Sequence, residues 1–259
     1  MTSYSETVAL EINGESISLS DALRFAKWIG NLQFIQAAVE TTLIRQAATE
    51  RGIEVSSDEL QQAADDFRVS RDLHDAEATE AWLASKHFSY ADWELLLETQ
   101  VITHKLREAL TAGRVEQHFA EQRLSFDAAT LSRIVLKDED VARELRAQII
   151  EEGADFHVLA RQYSIDDATK LAGGYSGLIR RTLMEAAVES AVFGAQAGKI
   201  VGPLKTDEGW QLIKIESLSP ATLDDQMRET IKSLLFDEWL SERRRKARIS
   251  IPLLEAAAE

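Results

Sequence analysis

Apolar residues alternate with polar ones from Val8 to Ile12, pause at Asn13-Gly14, and resume from Glu15 to Leu19. Asn-Gly between two short apolar runs predicts a β-hairpin, because both residues accept the positive φ of a two-residue turn. The period then lengthens to that of a helix. Phe25, Trp28, Ile29, Leu32, Ile35, Val39 and Leu43 share one stripe behind the candidate N-caps Ser18 and Ser20. That stripe predicts a helix of roughly 30 residues ended by Gly52. Ser56 with Glu59 three residues on is a capping box for a further helix to about Ser70. A short helix is expected around Trp82. Ser89 then opens a long one with Tyr90, Trp93, Leu97, Val101 and Leu106 at helical spacing.

The middle of the chain punctuates itself differently. An amphipathic helix carrying Phe156, Leu159, Ala160 and Tyr163 leads into an irregular segment, Ser164 to Lys170. Gly173, Gly174 and Gly177 follow, then an Ala-rich helix with Met184, Val188 and Phe193. Gly198 to Pro203 reads as a turn, and Trp210 to Ile215 as a strand. Helices among a few short strands predict an α+β unit in which helices pack on a small antiparallel sheet. After Pro220, Leu223, Met227, Ile231, Leu234, Leu235 and Leu240 form a second long stripe. It needs burial, and the N-terminal helices are the available surface. Ile249 and Ile251 are placed to add a strand to the opening hairpin.

Composition narrows the function. The chain has 259 residues, 45% hydrophobic and 28% charged, which is ordinary for a globular protein with ample core. A net charge of -15 argues against a nucleic-acid partner. With no cysteine there is neither a disulfide framework nor thiolate chemistry. His74, His87, His104, His118 and His157 are scattered without metal-ligand spacing, so neither a metal nor a cofactor is expected. The first residues show no basic and apolar leader pattern, and no run reaches the ~18 apolar residues of a membrane span. A cytoplasmic location is the expectation as the chain stands, periplasmic or exported only if a leader has been removed. The basic run Arg243 to Lys246 sits at a helix C-terminus, where the dipole favours cations.

Five motifs in order carry a resemblance. They are LSRIVLK at 131–137, GADFHVLARQYS at 153–164, the glycines 173, 174 and 177, the stretch Ala191 to Thr206 ending G-K-I-V-G-P-x-x-T, and Gly209 to Lys214. Over about 90 residues this series resembles the parvulin family of peptidyl-prolyl cis-trans isomerases. The opening V-A-x-x-I-N-G-E-x-I-S-x-x-D and the later R-G-I-x-V-S-x-x-E-L resemble the helical module of the PpiC/SurA-like, chaperone-type parvulins. The resemblance implies a helical chaperone lobe (1–125), an inserted isomerase domain (126–219), and a C-terminal helix and strand (220–259) that return to the lobe. It implies clients that are unfolded or proline-containing polypeptides. It says nothing of oligomeric state.

The resemblance also implies a site. Asp166, Met184 and Thr206 match the family pattern. Arg133 and Gln211 replace its two histidines, and Ser176 and Val188 replace a leucine and a phenylalanine. By this reading Asp166, Thr206, Arg133 and Gln211 polarise the X-Pro amide, and Ser176, Met184, Val188, Phe193 and Trp210 receive the proline. Strand alternation turns Leu131, Arg133 and Val135 to one face, and Gln211, Ile213 and Ile215 likewise. A buried Arg133 needs a carboxylate, for which Asp166 is the natural candidate. Weak isomerase activity is expected, with a catalytically inactive peptide-binding chaperone, or an accessory factor for peptide maturation or export, as the alternative.

Overall fold

In a computed structural model that describes residues 7–251, the chain divides into two units: Met1–Ala112 with Lys232–Glu259, and Gly113–Ile231. The first unit opens with the antiparallel hairpin β1 (Val8–Ile12) and β2 (Glu15–Ser18), turned by Asn13 and Gly14 at φ 52° and 85°. Ser18 caps α1 (Leu19–Trp28) by accepting from the Asp21 amide. The single helix expected here is two, because Gly30 takes φ 69° and the chain restarts as α2 (Gln33–Glu50). Phe25, Trp28 and Ile29, expected on a buried stripe, are exposed.

Capping boxes at Ser56 and Ser89 start α3 (Ser57–Val69) and α5 (Tyr90–Thr111), with α4 (Ala76–Ser85) between them. Phe67, Leu83, Trp93 and Leu97 bury one core among these helices. A second core joins Ile44, Ala47 and Ala48 of α2 to Ile102 and Leu106 of α5. Phe236, Trp239 and Leu240, from the far end of the chain, close it. Lys232 pairs with Glu108 at 2.8 Å and Arg243 with Glu50 at 2.5 Å along the same seam. No strand forms at Ile249 to Ile251, so the described residues lack the strand expected to join the hairpin; the rest of that segment lies outside them.

Glu59 does two jobs in this unit. Its carboxylate closes the Ser56 capping box and accepts from Lys105 Nζ at 2.7 and 2.9 Å. The Lys105 hydrogen bond first, then Ser56, holds its pKa at about 2. A depressed carboxylate stabilises the fold above its unfolded pKa of about 4.3 and loses that contribution as pH falls toward 2. Glu59→Gln is therefore expected to flatten the fall in urea midpoint between about pH 4.5 and 2. An unchanged slope would refute the assignment.

The second unit begins with α6 (Val115–Gln122), then builds a four-stranded antiparallel sheet of order β4-β3-β6-β5. The central strand β3 (Ala128–Leu136) is followed by α7 (Glu139–Glu151), α8 (Phe156–Tyr163) and the single turn α9 (Asp167–Lys170). β4 (Tyr175–Arg180) continues out of the glycine loop, where the sequence predicted no strand. α10 (Ala186–Phe193) leads to β5 (Ile200–Thr206), which occupies the segment expected as a turn, and then to β6 (Gly209–Ser219). Gly202 and Pro203 fit a strand because the β5–β6 register shifts between Val201 and Leu204, in keeping with the edge placement proline requires. One sheet face buries Ile134, Leu136 and Leu212 under α7 and α8. The other buries Ala129, Leu131, Ile213 and Ile215 against Val188 and Val192 of α10. The last helix among the described residues, α11 (Asp225–Lys246), begins in this unit and from Lys232 onward belongs to the first.

Candidate functional site

Period-two alternation decides what each sheet face carries. On β3 and β6, Leu131, Arg133, Gln211 and Ile213 share the α10 face, with Arg133 opposite Ile213 and Val135 opposite Gln211. Between that face and the segment leading into α10 lies a hollow of about 190 Å³. Leu131, Ile179, Met184, Val188 and Ile213 form its apolar walls; Arg133, Ser176 and Gln211 bring polar atoms to it. Leu183, Glu185 and Glu208 complete the lining.

Asp166 reaches this face through a local device. Where β4 leaves β3, the segment after α8 takes its place: Ile165 N–H donates to the Val135 carbonyl at 2.9 Å, and Val135 N–H donates to Ser164 Oγ at 3.1 Å. The next residue, Asp166, caps α9 and stands beside Arg133. Arg133 Nε and Nη2 both lie 2.9 Å from Asp166 Oδ2, and Arg133 Nη1 lies 2.6 Å from Glu208 Oε2. Burial pushes the Asp166 carboxyl up, but the Thr169 hydroxyl at 2.5 Å and the Arg133 guanidinium outweigh it, and its pKa falls below the ordinary value. From the other side, Gln211 Nε2 donates to Thr206 Oγ1 at 3.0 Å and to Glu208 Oε2 at 3.1 Å, while Thr206 donates to the Gly209 carbonyl at 2.9 Å. One polar chain thus runs Asp166, Arg133, Glu208, Gln211, Thr206.

Sequence reasoning missed Glu208, the link that joins the two halves. It sits in the β5–β6 turn, where a charged residue looks like ordinary solvation; Arg133, needing more than one acceptor, was the available signal. Asp166 and Thr206 belong to the polar chain without lining the hollow themselves. Phe193 does not line it either: its ring packs with the core below α10, with the Arg181 guanidinium 4.5 Å from its centroid. Trp210 is a correction. Gln211 faces the hollow, so its neighbour must face away, and Trp210 packs with Leu136 and Leu212 under α7 and α8. Among the described residues, no group of three or more His, Cys, Asp or Glu is arranged to hold a metal ion.

The glycine loop fixes the far edge. Gly174 lies directly on β3, its carbonyl accepting from Arg133 N–H at 2.8 Å. His157 Nδ1 stands 2.9 Å from the Gly173 carbonyl. Arg133 is thus gripped by its backbone as well as by its side chain.

The chain is similar to known proteins. Residues 136–217 match the family model described as Rotamase, PPIC-type PPIASE domain. The chain is 31% identical over 144 residues to "Foldase protein PrsA" of Caldanaerobacter subterraneus subsp. tengcongensis, covering 56% of this chain and 46% of that protein. It is 24% identical over 235 residues to the protein of that name from Halalkalibacterium halodurans, covering 85% of this chain and 70% of the relative. It spans less than half the length of other such relatives, 35% of the one from Geobacillus kaustophilus. The crystal structure of the peptidylprolyl isomerase PrsA from Bacillus anthracis superposes with a TM-score of 0.50 at 20% identity, covering 84% of this chain and 99% of that one, which establishes a shared fold. The hollow, its polar chain and the glycine loop therefore lie in and beside a domain, residues 136–217, that belongs to the PPIC-type, or parvulin, peptidyl-prolyl cis-trans isomerase family.

Proposed function

We propose that this chain is a peptidyl-prolyl cis-trans isomerase and chaperone acting on X-Pro bonds of unfolded or extended polypeptide. The observation that carries the reading is the hollow itself: apolar walls from Leu131, Met184, Val188 and Ile213 face the guanidinium of Arg133 and the amide of Gln211 across a space of about 190 Å³. Rotation about an X-Pro bond meets a barrier of about 18–20 kcal/mol and needs no covalent chemistry. Lowering it requires a seat for the ring and donors that favour the twisted amide over the planar one. Three N–H groups of Arg133 face carboxylates, which leaves two of its five for a peptide carbonyl. Asp166 and Glu208 act as positioning residues that hold the guanidinium in place.

The first unit contributes to the chaperone part of the reading. Val8, Leu10, Ile12, Phe25, Trp28, Ile29 and Phe34 are large apolar side chains left exposed there, and such surface marks interaction sites. No described helix is long and apolar enough to cross a membrane. With no cysteine in the chain, the reading holds in a reducing or an oxidising compartment alike.

The test is the full chain added to an Ala-Ala-Pro-Phe peptide, with cis-trans exchange followed by NMR. Acceleration that Asp166→Ala cuts at least tenfold, while suppression of client aggregation survives, is the expected result. Aggregation suppression without any acceleration would leave the non-catalytic binding reading in its place.

A further inference from the structure

The charge around the hollow is lopsided. Its lining holds one cation, Arg133, and two carboxylates, Glu185 and Glu208. Arg133 is already committed to Asp166 and Glu208, so the four groups together carry a net charge of -2. Glu208 offers one oxygen to both Arg133 and Gln211, and its side chain is 53% exposed. Glu185 stands where α10 begins, yet its side chain makes no capping hydrogen bond there. Asp207, beside Glu208 in the same turn, adds a further exposed acid.

We infer that the site selects X-Pro segments carrying a lysine or arginine next to the proline, with Glu185 and Glu208 as the specificity-determining residues. The inference rests on the proposed seat for the proline ring: with the ring against Met184 and Val188, its neighbour in the peptide meets the rim that these two carboxylates occupy. An approaching cation finds two acceptors and loses little hydration, because both acids are open to water. An acidic neighbour meets like charge. Exposed ion pairs contribute little singly, so the preference is modest: about tenfold between Lys-Pro and Glu-Pro peptides at low salt. It shrinks at 1 M salt, where the screening length is about 3 Å.

The experiment titrates the full chain with Ala-Lys-Pro-Phe, Ala-Ala-Pro-Phe and Ala-Glu-Pro-Phe. Affinity is read from NMR shifts of the Met184 and Ile213 methyl groups, and turnover from cis-trans exchange. The expected order is Lys, Ala, Glu, compressed at 1 M NaCl and compressed or reversed in Glu185→Lys. Equal affinity and turnover for the three peptides, with shifts still centred on the hollow, overturns the charge preference and leaves the isomerase reading standing. Ordered affinities without turnover sustain the preference and overturn catalysis. Peptides that leave both methyl groups unmoved overturn both.

Discussion

Replacing Gly174 with alanine is expected to destabilise the second unit several times more than the same change at Gly177. Both glycines have positive φ, 83° and 75°, so each substitution carries the left-handed strain of roughly 1–2 kcal/mol. Only at Gly174 does the new methyl meet something. Its position lies 2.3 Å from the Arg133 carbonyl oxygen and 3.1 Å from Ala160 Cβ, whereas nothing stands within 4 Å of a Cβ at Gly177. The obstructing atom is backbone of the central strand, which cannot rotate away. Relief requires the loop to lift, which stretches the 2.8 Å bond from Arg133 N–H to the Gly174 carbonyl. A total of about 3–5 kcal/mol follows, at the upper end of what single substitutions cost. Urea unfolding of the two variants side by side, followed through amides of β3, checks it. Equal losses would mean that the loop does not lie on the strand as described.

Arg133→Met is expected to cost about 2 kcal/mol at neutral pH and at least a tenfold loss of peptide turnover, and the stability part should disappear in acid. Removing one partner of a buried pair costs about 3–5 kcal/mol; the figure is reduced because the Arg133 side chain is 26% exposed. What remains is Asp166, 13% exposed, facing Glu208 with no cation between them. The pKa of Asp166 is depressed in the intact site, so its contribution is present above the unfolded value of about 3.9 and is lost as pH falls through the folded one. The penalty of Arg133→Met should therefore be full at neutral pH and fade in acid, where Asp166 takes up a proton in both proteins. In the variant the Asp166 carboxyl should titrate at higher pH than in the parent, because burial then meets less opposition. A penalty constant from pH 2 to 6 would remove Asp166 as the partner that matters.

Much of the architecture could be read from side chains acting on their own backbone. Asn13-Gly14, the caps at Ser18, Ser56 and Ser89, and the stop at Gly52 announce themselves because their physics is local. What was not legible depended on partners distant in sequence. Tyr175–Arg180 looks like glycine loop until β3 supplies a ladder for it, and Ile200–Thr206 looks like a turn until β6 does. Gly30 interrupts a stripe that is otherwise helical throughout, and the residues around the break find no core to join. At the site, the motif order indicated Arg133, Asp166, Thr206 and Gln211 as neighbours. Glu208 stayed hidden because its partners lie 75 residues back and three ahead. Placing Trp210 and Gln211 at one pocket conflicted with alternation, and alternation prevailed.

Setting a guanidinium where the family resemblance leads one to expect an imidazole has a lasting consequence for the environment in which the hollow operates. Imidazole gains or sheds its proton near neutrality, whereas a guanidinium is a permanent cation, and the Asp166 carboxyl beside it is held below the ordinary carboxylate range. The electrical character of the cleft is thereby written into the polypeptide itself, the same in mildly acidic and mildly alkaline surroundings.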